Sequence, residues 1–233
     1  MNIDVISGFP QIVQEPLNQS MIKIGRRNGV VQIRIHDLRD FTTDRHKTID
    51  DYPYGGGPGM VLKIEPVVKA LDAVFESLDP KKAKVIMPTP RGIPLTQELI
   101  TKLSLQDHLV FVCGHYKGID ERVHAFYEIE EISIGDFILS SGEIAALVII
   151  DAVIRLLPGV LKDIDSAWTD SFTDYLLDVP YYTRPEDFRG VRVPEVLLTG
   201  NHAAIDRWRQ EQRETTTRER RPDLYKKYRK NIK

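Results

Sequence analysis

The sequence predicts an α/β fold built on a largely parallel sheet, and three observations carry that expectation. Short β-branched runs alternate with helical segments; the alternation stops after Pro158-Gly159; and the loops richest in glycine and proline fall directly after strand candidates. The strand candidates are IDVIS (3–7), VVQIRI (30–35), AKVIM (83–87), HLVFVC (108–113) and EIEEISI (128–134). Between and after them, Ile64 to Leu78, Leu95 to Ser104 and Ile144 to Leu156 read as helices. Lys162 to Arg192 is polar, rich in Asp, Tyr and Pro, and has no sustained period, so it reads as a linker. Beyond it, NHAAIDRWRQEQR starts at a plausible N-cap, Asn201, and Arg221-Pro222 restarts a last short helix. There is no internal repeat and no low-complexity tract.

With 233 residues, 42% of them hydrophobic, the chain can bury one full core and a smaller second unit. One cysteine, Cys113, inside an apolar run, argues against a disulfide framework and suits a reducing compartment. The opening MNIDVISGFP puts Asp4 where a secretory leader would be apolar, and the Ile144 to Leu157 run is too short and too charged to span a bilayer. The expectation is a cytoplasmic protein with no membrane partner. The net charge of −2 hides a separation: residues 184–233 carry 14 Lys and Arg against 8 Asp and Glu, so the rest of the chain is acidic. A second basic stretch, Lys23 to Lys47, includes Arg26, Arg27, Arg34, Arg39 and Arg45. Two basic surfaces point to a polyanion, although a charge run alone is more often the solvated face of a helix.

Common cofactor signatures are absent: no G-x-x-x-x-G-K-[ST], no H-E-x-x-H, no paired C-x-x-C, and no G-x-G-x-x-G after a strand. What remains is three loops, each after a strand, where open α/β sheets bind ligands: PTPRG (Pro88 to Gly92), CGHYKGIDER (Cys113 to Arg122) and SIGDFILSSGE (Ser133 to Glu143). Any one of them alone reads as ordinary turn chemistry. A separate cluster, DDYPYGGGPGM (Asp50 to Met60), reads as a hinge or as a surface for nucleic-acid backbone, with Tyr52 and Tyr54 available for base stacking. The helix after the third loop carries Asp151 and Arg155 among Ile, Leu and Val, and buried charge there needs a partner.

The order DDYPYGGGPGM, CGHYKGIDERV, EISIGDFILSSGE, DAVIRLLPGVL, DSF, YTRP, VPEVLLTGNH and RRPDL resembles the bacterial tRNA (guanine-N1)-methyltransferases of the TrmD family, over nearly the whole chain. The resemblance implies a SPOUT-type parallel sheet whose C-terminal part is tied into a deep trefoil knot over residues 1–160. An interdomain linker (161–175) and a small, mainly helical, basic tRNA-binding domain (176–233) would follow. It implies an S-adenosylmethionine pocket made by Pro88, Thr89 and Pro90, by Gly114 and Tyr116, and by Ile134, Gly135, Asp136, Phe137, Ile138, Leu139 and Gly142. The implied reaction is methyl transfer to N1 of guanosine 37 of tRNA, preceded by guanosine, with Asp170 as general base and Arg155 stabilising O6. Taken alone, Asp170 reads as a helix N-cap and Arg155 as an ion-pair partner of Asp151.

Also implied are a homodimer, in which Asp170 and Arg155 meet across subunits, and an anticodon stem-loop held by His46, Asp50, Gly59 and the basic tail. Ser166 would lie in a linker that orders when substrate binds. The chain departs from the family pattern at three positions: Lys117 where Glu is usual, Ser141 for the first glycine of SGGE, and Arg91 for Gln. A cation at 117 disfavours a divalent ion, so no metal ligands are assigned and a magnesium requirement is doubtful. Two alternatives stay open: a knotted protein that binds RNA and S-adenosylmethionine with little or no catalysis, and a methyltransferase acting on another RNA.

Overall fold

The computed structural model describes residues 1–76, 78, 82–161 and 170–231, and the chain forms two compact units, Met1–Lys162 and Asp163–Lys233. In the first unit the chain runs through β1 (Asn2–Ser7), α1 (Gln11–Gln14), α2 (Ser20–Arg27), β2 (Gln32–Asp37), β3 (Asp50–Asp51), β4 (Val61–Leu62) and α3 (Ile64–Phe75). It continues through β5 (Ala83–Pro94), α4 (Gln97–Ser104), β6 (His108–Val112), β7 (Ile129–Ser133) and α5 (Gly142–Ile154). Five strands form one sheet in the order β2-β1-β6-β5-β7, with every pairing parallel, and β3 and β4 form a small antiparallel ladder.

Both faces of the sheet are covered at its centre, which is why β6 reads as a near-continuous apolar run, while the edge strands β2 and β7 carry Arg34, His36, Glu130 and Glu131. Ile3, Val5, Leu109 and Phe111 pack in one cluster with Ile149, Ile150 and Val153 of α5, while Ile6, Val110, Val112 and Val85 pack on the other face with Val67, Leu71 and Val74 of α3. Alternate residues of β6 thus feed opposite clusters, and all five are buried.

One position on this sheet is charged and fully buried. Asp4 of β1 accepts from Arg34 Nε and Nη2 at 2.9 and 2.8 Å and from His36 Nε2 at 2.6 Å, with His108 Nε2 as a further partner. An ionised carboxylate only accepts, so both imidazoles present Nε2–H to it. Burial works to raise the Asp4 pKa, but the hydrogen bonds from His36, Arg34 and His108 together outweigh it and hold the carboxyl at about 2.

In the second unit, β8 (Asp187–Phe188) and β9 (Val191–Arg192) form a hairpin, followed by α6 (His202–Arg220) and α7 (Pro222–Asn231). Asn201 caps α6 as the sequence indicates, its side chain accepting from the Ala204 N–H at 3.2 Å, and α7 restarts at Pro222. Tyr228 joins the two helices through Gln210 at 2.9 Å and Glu214 at 3.0 Å. Arg213 of α6 pairs with Asp174 at 2.6 Å.

The expected strands and helices all form, with shifted ends: β2 runs two residues beyond its apolar run and α3 stops at Phe75. Four short elements have no counterpart in the sequence reading, namely α1, α2, β3 and β4. The stretch read as linker without period holds the β8–β9 hairpin in its described part. Ser166 lies outside the described residues. Among the described residues no helix is long and apolar enough to cross a membrane.

Candidate functional site

The three loops singled out by the sequence leave β5, β6 and β7, which are neighbours in the sheet. The first is a looped-out segment inside β5. Pro88 and Ile93 both pair with Ile132 of β7, so residues 89–92 are expelled and the ladder resumes beyond them. Gly92 makes this possible: a Cβ there would lie 2.3 Å from the Ile132 nitrogen and 2.4 Å from the Glu131 carbonyl carbon. The second and third loops are joined to each other. The Gly142 N–H donates to the Gly114 carbonyl at 2.7 Å, and His115 and Ser141 form an antiparallel bridge.

Together these loops enclose a cavity of about 400 Å³. Its wall includes every residue expected to hold the cofactor except Asp136. Ile132 and Ala145, outside the three loops, also line it, as do His115 and Ser133, which lie in the loops but were not assigned to the cofactor. The lining residues are mainly glycine, proline and aliphatic or aromatic residues, joined by Thr89, Ser133, Ser140 and Ser141, with Lys117 as the charged one. Such a mixture suits a ligand that is flat and apolar on its faces and polar at its edges.

Of the residues expected at the substrate side, Gly59 lies against Lys117 of the cavity lining, and Asp50 lies near enough to Tyr116 for its charge to be felt there. Tyr116 adopts a left-handed backbone, φ 58°, and its phenol pKa is raised by burial first and then by the charge of Asp50, against an opposing effect of Arg39. The His115 ring packs on Phe9 with centroids 4.3 Å apart, and the Arg39 guanidinium lies over the Phe9 ring, 5.3 Å from its centroid. Three backbone bonds of 3.0 Å each, Lys117 N–H to Met60 O, Leu62 N–H to Gly118 O and Asp120 N–H to Leu62 O, stitch the β3–β4 ladder to the loop after β6. The glycine-rich turn is therefore fixed beside the cavity, with Tyr52 and Tyr54 exposed next to it. His46 lies in a neighbouring turn, its N–H bonded to Asp44 Oδ1 at 2.9 Å.

Arg155 caps the C-terminal end of α5, its N–H donating to the Asp151 carbonyl at 3.2 Å. Asp170 belongs to the second unit and does not cap a helix: the residues after it form turns, with the Thr173 hydroxyl donating to its carbonyl at 3.3 Å. Three cations of the Lys23 to Lys47 stretch are already engaged, Arg34 with Asp4, Arg39 with Asp37 and Lys47 with Asp40, which weakens that stretch as a polyanion surface.

A buried carboxylate in the first turn of α5 escaped the sequence reading. Glu143 is fully buried, and its Oε1 accepts from Ser7 Oγ at 2.5 Å; Ser7 in turn accepts from the Phe9 N–H at 2.8 Å. The signal was present, since a glutamate precedes the apolar run that opens the helix. Cys113 is core, as its surroundings predict, and burial followed by the Glu143 charge pushes its thiol pKa well up.

An open parallel sheet that gathers three glycine-bearing loops from adjacent strands into one cavity defines an α/β protein that binds a small ligand at the C-terminal ends of its strands. The family model described as tRNA (Guanine-1)-methyltransferase TrmD matches residues 1–227. Curated relatives named tRNA (guanine-N(1)-)-methyltransferase include proteins from Carboxydothermus hydrogenoformans, 53% identical over 97% of this chain and 88% of that protein, and Dehalococcoides mccartyi, 49% identical over 97% and 91%. Another, from Listeria welshimeri, is 47% identical over 98% of this chain and 93% of that protein. The chain belongs to the TrmD family of tRNA (guanine-1)-methyltransferases.

Proposed function

We propose that the chain methylates N1 of guanosine 37 in tRNA, next to a guanosine at 36, using S-adenosylmethionine. The cavity closed by the Gly114–Gly142 contact carries this reading, because three loops expected independently to hold the cofactor converge on it. The wall fits the cofactor chemically: backbone groups can read adenine edges, Ile134 and Leu139 can cover its faces, and carbonyl oxygens tolerate a sulfonium. The cofactor supplies an electrophilic methyl group when bound.

The work left to the protein is protonic, since N1 of guanine carries a proton at neutral pH and is a poor nucleophile. Asp170 takes that proton, and Arg155 donates to O6, where negative charge gathers as the proton leaves. The polypeptide around α5 forms the family's trefoil knot, and the helical second unit is a tRNA-binding domain whose excess of Lys and Arg meets the phosphate backbone. Two copies assemble so that Asp170 and Arg155 of one site come from different subunits. Exposed apolar side chains support that assembly: Ile144 and Val148, one turn apart on α5, and Ile138 beside the cavity.

The test is methyl transfer to tRNA transcripts with guanosine at 36 and 37. Asp170→Ala should lower the rate by about 100-fold or more with S-adenosylhomocysteine affinity retained. Full activity in that variant overturns the mechanism, tight tRNA and cofactor binding without turnover in the unaltered protein selects the binding-protein alternative, and transfer to ribosomal but not transfer RNA selects the other.

A further inference from the structure

Lys117 is the charged residue among the described residues that line the cavity, and its stem also reaches the glycine-rich turn. Its N–H is bonded to the Met60 carbonyl at 3.0 Å, and its stem crosses Gly59 so closely that a Cβ there would lie 2.9 Å from Cγ and 3.2 Å from Cε. The ammonium end is thus carried over the glycine-rich turn, at the border between that turn and the cavity mouth. Gly55, Gly56, Gly57 and Gly59 all have positive φ, and a Cβ at 55, 56 or 57 would meet nothing within 4 Å, so the turn presents open backbone. Other cations of these loops are already committed. Arg122 is bonded twice to Asp120, at 2.9 and 2.6 Å, and Arg91 bridges Glu121 and Glu131 at 3.0 Å each. For Lys117 no ion pair forms among the described residues.

A solvent-facing ammonium beside uncovered glycine backbone calls for an anionic oxygen group. The amino-acid carboxylate of a bound methyl donor and the phosphodiester of an RNA both have that chemistry. The position favours the second: a strand of RNA can approach a surface without side chains closely, and the stem lies on the turn side of the rim. We propose that Lys117 binds a backbone phosphate of the RNA next to the base that enters the cavity. The assignment rests on the functional reading above and gives this chain an RNA contact at a position where the family pattern carries a carboxylate.

The experiment measures tRNA affinity across a series of KCl concentrations for the unaltered protein, Lys117→Ala and Lys117→Arg, with S-adenosylhomocysteine affinity by calorimetry as a second readout. One lost phosphate contact should make the slope of log K against log salt shallower by about 0.7 to 0.9 in Lys117→Ala. Lys117→Arg should restore the slope, and S-adenosylhomocysteine affinity should stay within about twofold across the series, since the contact is on the nucleic acid. An unchanged slope overturns the proposal, and a fall in S-adenosylhomocysteine affinity at unchanged slope moves Lys117 to the donor's carboxylate. If the unaltered protein binds no tRNA, the functional reading falls together with this assignment; if it binds with a slope that Lys117→Ala leaves alone, only this assignment falls.

Discussion

The cavity and the Asp4 cluster lie on the same sheet and are built on opposite terms. At the ends of β5, β6 and β7, shape depends on close approaches that only glycine allows: Gly92 against β7 and Gly142 against Gly114. In the body of β1, β2 and β6, a buried carboxylate is held by three charged or ionisable side chains from two other strands. The first arrangement fails when an atom is added. The second fails when one is removed, because the remaining buried polar groups lose their partner. Function and stability are therefore vulnerable to different kinds of substitution, a few residues apart.

The contrast can be broken most forcefully at Asp4. Asp4→Ala should cost about 3 kcal/mol of folding free energy at neutral pH, because His108 is left buried without its acceptor. Denaturant unfolding measures the cost, and S-adenosylhomocysteine affinity in the folded fraction should be unchanged. If the affinity falls in step with stability, the two regions are not separate.

A milder test uses acid. The Asp4 carboxyl is held at about 2 in the folded protein, below its ordinary value of 3.8, so the unfolded chain binds the extra proton first. The stabilisation is complete above the unfolded value and is lost as pH falls from about 4 to about 2, amounting to about 2 kcal/mol. Unfolding midpoints at stepped pH should show this loss, and Asp4→Asn should abolish that part of the acid dependence.

A third test sharpens the comparison from the other side. Gly142→Ala places a Cβ 2.9 Å from the Gly114 nitrogen, and relieving that overlap should cost about 1 to 3 kcal/mol. The cost should appear mainly as weaker S-adenosylhomocysteine binding by calorimetry. A variant with ordinary affinity and a large loss of stability would mean that the contact belongs to the core and not to the cavity.

What the sequence made legible follows the same divide. Strands β1 and β6 announce themselves because they are buried on both faces, β5 through the apolar run that opens it, and the three loops stand out through glycine and proline. The β3–β4 ladder was hidden, because two-residue strands carry no period to read. The PTPRG segment looked like the end of a strand, and nothing local says that β5 resumes after it; that follows from Ile132 pairing twice, across the sheet. The Asp4 cluster was illegible for a related reason, since His108 is 104 positions from its partner. The twelve-residue cofactor assignment itself came from resemblance, and single loops would not have supplied it.

The bond between Ser7 and Glu143 spans 136 positions. Ser7 ends the first strand to leave the ribosome, while its partner opens the last helix of the unit, so the joint waits for most of that unit to be made. At about 5 to 20 residues per second, the interval is roughly 7 to 27 s. During that time β1 can pair with β2, but α5 is missing, and with it the cover for Ile3, Val5 and Phe111. A nascent chain stalled short of residue 143 should hold that apolar face open to chaperones, and release from them should coincide with the emergence of α5.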